Sequence, residues 1–180
     1  SNNAKVVINI IIAKISGVKL IQALRKEYER DYVSLMPTNL YGPKDNFDLK
    51  SSHVLPAMIR KFHEAKLTGN ASVELWGTGS PMREFLHVDD LGGAVLFALE
   101  NTLEEHLYNI GTGMDLTIKD LAEIIQDIVG YKGHITWDRN KPDGTPRKLM
   151  DITKIKNLGW KPSINLKTGV ELVYNWYKNI

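Results

Sequence analysis

Residues 76–90 hold the densest chemistry in the chain. Trp76 offers a flat apolar face, and Gly77 and Gly79 let the backbone approach a ligand closely. Arg83 adds a planar donor fork ahead of an apolar strand ending in His87, Asp89 and Asp90. A base or hexose ring needs the first of these and a phosphate the last, so the combination suits the holding of a nucleotide. An arginine between Met82 and Phe85 must find an anion or escape to water. Asp89 and Asp90 read as the cap and first turn of the helix that follows, where carboxylates satisfy orphan amides. His53, at a loop-to-helix junction, offers an imidazole that titrates near neutral pH, although by position alone it reads equally as a helix cap or surface residue. The histidines at 53, 63, 87, 106 and 134 show no ligand spacing, so no metal site is expected. There is no Gly-x-Ser-x-Gly elbow and no Walker lysine. Gly77-Thr78-Gly79 and Gly111-Thr112-Gly113 lack the third glycine of a dinucleotide fingerprint.

Alternating helices and strands must position these groups. Ile15, Val18, Ile21, Leu24 and Tyr28 recur at helical spacing through residues 14–30, and a β-rich run over 32–36 stops at Pro37. Residues 37–52, rich in Pro, Gly, Asn and Asp, read as a loop. A helix over 53–66 and strands over 71–76 and 84–88 follow, then a helix over 90–100 and a strand over 107–110. Thr117 with Asp120 forms a capping-box pattern opening a helix to Val129. A short strand over 135–137, a loop over 141–148, a short helix capped by Asp151 and an amphipathic helix over 166–178 complete the pattern. The alternation argues for an α/β fold.

The 180 residues suffice for a real core, and the apolar and charged fractions, 43% and 24%, are those of an ordinary globular domain. The absence of cysteine excludes a disulfide framework, a thiolate zinc site and a cysteine nucleophile within this chain, and suits the cytoplasm. A net charge of +2 with basic residues scattered among acids gives no reason to expect nucleic acid. The apolar run over 4–15 is short and carries Lys5 and Lys14, so no membrane span is expected. An α/β nucleotide-binding sheet opens with a strand, a glycine-rich turn and a helix, and this chain has no such opening; it reads as the later part of a larger protein.

Several runs together carry a family resemblance. They are residues 12–20, Met36-Pro37-Thr38-Asn39-Leu40-Tyr41-Gly42-Pro43, Asp45-Asn46-Phe47, Ser52-His53-Val54, residues 81–90 and residues 141–148. In this order they resemble the GDP-L-fucose synthases, a family of extended short-chain dehydrogenase/reductases. The likeness extends over nearly the whole chain from about Ile12. Residues 37–43 and His87-Val88-Asp89-Asp90 are shared with many nucleotide-sugar epimerases. The His53 segment, Trp76 with Pro81-Met82-Arg83, and the Lys141-Pro142-Asp143-Gly144 loop are the discriminating parts.

The resemblance implies the later part of a Rossmann-type doubly wound sheet with a smaller α/β substrate-binding domain. Residues 12–50 would be a remnant of the NADP-binding domain. Residues 51–180 would mainly bind the GDP-sugar, with some elements returning to the first domain, and residues 1–11 would be a tag or otherwise non-native segment. The implied reaction is epimerisation at C3 and C5 of a 4-keto sugar followed by reduction at C4 with NADP(H), carried out by a homodimer in the full-length enzyme. Such epimerisation needs acid and base groups near the acidified carbons and a donor at the ketone oxygen. In the family's pattern His53 is the acid and also touches the cofactor, and Lys14 is the lysine of a Tyr-x-x-x-Lys motif. Pro37, Thr38, Asn39 and Leu40 pass the nicotinamide end. Lys61, Trp76, Arg83 and Asp143 fall on the substrate side, with Arg147 and Lys148 as a basic rim. Ile10 stands where the motif's tyrosine belongs, so the chain as given is expected not to turn over. Another nucleotide-sugar epimerase or dehydratase, or a non-catalytic nucleotide-sugar binding module, are the alternative readings.

Overall fold

The computed structural model describes the backbone of residues 2–179 and the side chains of residues 11–179. Helix α1 (Asn2–Tyr28) leads into β1 (Ser34–Pro37) and β2 (Asn39–Tyr41), followed by α2 (Val54–Thr68) and β3 (Ser72–Trp76). The short β4 (Met82–Arg83) precedes β5 (Phe85–His87) and α3 (Val88–Glu100). Next come β6 (Leu107–Ile110), β7 (Leu116–Thr117), α4 (Ile118–Val129) and β8 (His134–Asp138). The chain closes with β9 (Arg147–Lys148), α5 (Thr153–Asn157) and α6 (Leu166–Tyr177).

Three pairs of strands run parallel and are joined by helical crossovers: β1 with β6, β2 with β5, and β3 with β8. Parallel pairing requires such crossovers, which is why helices and strands alternate along the sequence. A small sheet sets β4 between antiparallel β7 and parallel β9, with Arg83 level with Lys148.

Apolar side chains sort into two cores. One gathers α2, β3, α4 and α6 around Leu55, Ile59, Phe62, Leu121, Ile125 and Val170, with Tyr41 and Phe85. The other gathers Leu86, Ala94, Leu103, Tyr108, Ile110, Ile155 and Trp160, with Leu35 and Leu40 packed against it. Neighbouring residues on a strand point to opposite faces, so Phe85 enters one core and Leu86 the other. Tyr41 and Leu40 divide in the same way, which makes the β2–β5 pair the wall between the cores.

The structure departs from the sequence expectations at several points. Residues 37–52 are not all loop: β2 lies inside them, because backbone pairing with β5 outweighs a Pro- and Asn-rich composition. Pro37 ends β1 rather than stopping it beforehand, on a strand that among the described residues pairs on one side only, where its missing N–H costs no ladder bond. Helix α3 starts at Val88 and is capped by His87, whose Nδ1 accepts the Asp89 amide at 3.2 Å. Asp90 instead turns inward and accepts the Ser163 amide at 2.8 Å and the Ile164 amide at 3.1 Å. The expected loop over 141–148 ends in β9. The Thr117–Asp120 capping box is present, with the Asp120 amide donating to Thr117 Oγ1 at 3.0 Å.

Helix α1 begins well before residue 14 and leaves Ile11, Ile12, Ile15 and Leu20 exposed, while Val18, Ile21 and Leu24 are half-buried. Its last turns are tied down by Arg25, which donates to the carbonyls of Tyr32, Leu103 and Glu104. Among the described residues no helix is long and apolar enough to cross a membrane.

Candidate functional site

A cavity of about 1180 Å³ runs along β1 and β2, lined from Ser34 through to the loop after Tyr41. Lys14 and Gly17 of α1 line one side, and Pro37, Thr38, Asn39 and Leu40 the floor. His53 and Arg83 close the other side. Six positions expected from the sequence to serve catalysis or cofactor binding thus share one space.

A second cavity of about 160 Å³ is lined by Trp76, Gly79, Pro81, Arg83, Pro142 and Asp143, with Val54 and Ile118. Arg83 and Val54 border both cavities, so Arg83 stands at their junction. Its Nη1 donates to the carbonyl of Met82 at 2.7 Å, which steadies the guanidinium while leaving other donors of the fork for an anion.

His53 is the N-cap of α2, with φ −72° and ψ 166°, yet its side chain makes no cap hydrogen bond. It is therefore a cap by position only; the residue is exposed and lines the larger cavity at the start of a helix. Trp76 is 65% exposed, so it is not a core residue, and Lys141 Nζ lies 5.3 Å from its ring centroid.

Asp143 is held by Thr78, whose amide donates to Oδ1 and whose hydroxyl donates to Oδ2, each at 2.7 Å. These bonds hold the Asp143 carboxyl below its ordinary range, the backbone bond counting most. Gly77, at φ 82°, permits this arrangement: a Cβ there would collide with Asp143 Oδ1. Asp143 therefore borders the small cavity as part of a loop latch, with both oxygens already engaged.

Lys61 lines neither cavity, and nor do Arg147 and Lys148 of the expected rim. Lys61 Nζ donates to the Glu74 carbonyl at 2.8 Å, and burial lowers its pKa, partly opposed by the Glu74 charge. Thr38 and Asn39, although they line the larger cavity, aim their side chains at the carbonyl of Glu84, at 3.4 and 2.8 Å.

Sequence reading missed three supporting contacts. Glu84 is fully buried and accepts the amides of Thr112, Gly113 and Met150. Arg147 grips Asp115 with two bonds, at 2.6 and 3.1 Å, and holds the Asp115 carboxyl below its ordinary range. Thr78 latches Asp143. Of these, only a charged Glu84 at the head of the expected strand, between Arg83 and Phe85, carried a signal that could have been read.

Comparison with known proteins places this geometry in context. The chain is 54% identical over 170 residues to GDP-L-fucose synthase 1 of Arabidopsis thaliana, covering 94% of this chain and 53% of that protein. A GDP-6-OMe-4-keto-L-xylo-heptose reductase from C. jejuni superposes with a TM-score of 0.86 at 37% identity, over 93% of this chain and 60% of that one. A GDP-mannoheptose C4 reductase from Campylobacter jejuni, solved with NADP bound, gives 0.82 at 37% identity over 93% of this chain and 59% of that one. The chain spans about half the length of the curated relatives it matches. Its parallel strands and crossover helices are those of a Rossmann-type α/β fold. Residues 11–111 match the NAD dependent epimerase/dehydratase family, and the chain belongs to that family.

Proposed function

We propose that this chain is part of a GDP-L-fucose synthase, converting GDP-4-dehydro-6-deoxy-D-mannose to GDP-L-fucose by 3,5-epimerisation and then reduction of the 4-ketone. Residues 12–50 belong to its NADP-binding domain and residues 51–180 mainly to its GDP-sugar domain. The observation that carries the reading is the position of Arg83 at the junction of two cavities, one holding Lys14, Thr38 and His53 and the other Trp76. The names of the relatives and the NADP in a structural neighbour support the same substrate and cofactor classes.

The larger cavity suits a nicotinamide cofactor: it is roomy, has a cation in Lys14 and an apolar floor in Pro37 and Leu40. When bound, NADPH supplies the hydride for the C4 ketone. Lys14 holds the ribose end. His53, which lines the cavity with no cap hydrogen bond engaging its side chain, exchanges protons at the carbons beside the ketone. Arg83 takes the diphosphate and fixes the sugar relative to His53, while Trp76 offers its open face to the base. Lys61 contributes charge from outside the small cavity, and Asp143 shapes the loop beside the base. The full-length enzyme acts in the cytoplasm as a homodimer in which α1 joins the subunit contact; the exposed Ile15 and Leu20 support this.

Ile10 has no proton to give, and its side chain lies outside the described residues. With Ile10 four residues before Lys14, this chain binds without turning over. Calorimetric titration with GDP-fucose, with UDP-glucose as control, tests the reading. Saturable binding of the GDP-sugar alone is expected, weakened about ten-fold or more by Arg83→Ala through loss of a charge-assisted hydrogen bond. A preference for UDP-glucose, or a folded sample that binds neither sugar, would overturn it.

A further inference from the structure

Glu84 lines neither cavity and has no part in the chemistry above, yet it is 0% exposed and surrounded by donors. Its Oε1 accepts the Thr112 amide at 2.6 Å, the Gly113 amide at 2.7 Å and the Thr112 hydroxyl at 3.2 Å. Its Oε2 accepts the Met150 amide at 2.9 Å. Three backbone amides donate to it, and the Thr112 hydroxyl proton is shared with the Met114 carbonyl at 3.0 Å; donors on both oxygens are what an acceptor-only carboxylate matches and an amide cannot. Gly111 makes the room, since a Cβ there would run into Oε1. The backbone carbonyl of the same residue receives Asn39 Nδ2 and Thr38 Oγ1. Segments far apart in sequence therefore meet on one residue: the floor of the larger cavity, the turn after β6 and the turn after β9.

Arg83 precedes Glu84 on extended backbone, so the two side chains leave on opposite sides, Glu84 inward and Arg83 to the junction of the cavities. The turn that Met150 anchors follows β9, which pairs with β4 and carries the end of the loop containing Asp143. We propose that Glu84 is a positioning residue for the nucleotide-sugar site, an inference that rests on the GDP-sugar reading. Its buried carboxylate ties the Thr112–Gly113 and Met150 turns to the β4–β5 joint, so that Arg83 and residues 141–148 form one preset wall.

Glu84→Gln tests this in the 180-residue chain. The amide oxygen keeps the three donors of Oε1, and its NH2 then faces the Met150 amide, donor against donor. Hydrogen exchange at Met150 and residues 141–149 is expected to quicken about ten-fold, the cost of one buried hydrogen bond, while α4 stays as protected as before. Affinity for GDP, read by calorimetry, is expected to fall about ten-fold, with the loss shrinking in an Arg83→Ala background because the two residues act on one wall. Thr112→Val, which removes the hydroxyl and with it the bonds to Glu84 and to the Met114 backbone, should give the same pattern at smaller size, with Met114 also exchanging faster, if Glu84→Gln folds poorly.

Unchanged exchange at Met150 would overturn the proposal. So would a loss of protection shared equally by α4, which marks a general role in stability. If the unaltered chain does not bind GDP, the GDP-sugar reading fails, and the exchange measurement still decides whether Glu84 holds the wall.

Discussion

Asp143 shows how one side chain can look like a ligand contact and serve as a latch. A carboxyl whose folded pKa is depressed contributes stability above its unfolded pKa and loses it as pH falls through the lower, folded value. Because Thr78 lowers the Asp143 pKa, the latch is intact at neutral pH and opens only under acid conditions below the usual carboxylate range. Following the Thr78 amide resonance through an acid titration should show this release, and Asp143→Asn should remove the transition. Gly77→Ala meets two obstacles at once, a positive φ and a collision with Asp143 Oδ1. It should lower stability by about 1–3 kcal/mol in denaturant unfolding. At this scale the sequence was readable where a residue type has few alternatives. Arg83 beside apolar neighbours had to reach an anion or water, and it lines both cavities. The sequence was opaque for Asp143 and Lys61, whose partners Thr78 and the Glu74 carbonyl are brought close only by folding.

Helix ends and strand pairs obey different ranges of information. The Thr117–Asp120 box opens α4 as the local pattern predicts, because both halves of a cap lie within one turn. Thr117→Ala should therefore cost about 1 kcal/mol, seen as a lowered melting temperature. The start of α3 was misplaced by the same kind of reasoning. His87 takes the cap, and Asp90 is drawn inward by the amides of Ser163 and Ile164, more than seventy positions along the chain. The strands β2, β4, β7 and β9 escaped notice altogether: each is two or three residues long and exists through its partner. A strand that short has no period to read.

The whole molecule turns on the wall made by β2 and β5. Leu86 and Leu40 face one core, Phe85 and Tyr41 the other, so disturbance of this pair reaches both. Leu86, with no exposed surface, should cost about 2–5 kcal/mol as Leu86→Ala. Calorimetry is expected to show one unfolding transition that moves as a unit in this variant. Two separate transitions, only one of them shifted, would show that the cores melt independently.

The segment from Arg139 to Pro146 is exposed throughout, yet its frame is firm. The Asp138 carbonyl receives the Gly77 amide, the Pro146 carbonyl receives the Met82 amide, and Arg147 grips Asp115 just beyond. A stretch secured at both margins, and between them chiefly by the Asp143–Thr78 latch, is a natural cassette. Its residues other than Asp143 can be exchanged by loop grafting, or drift in evolution, without disturbing either core.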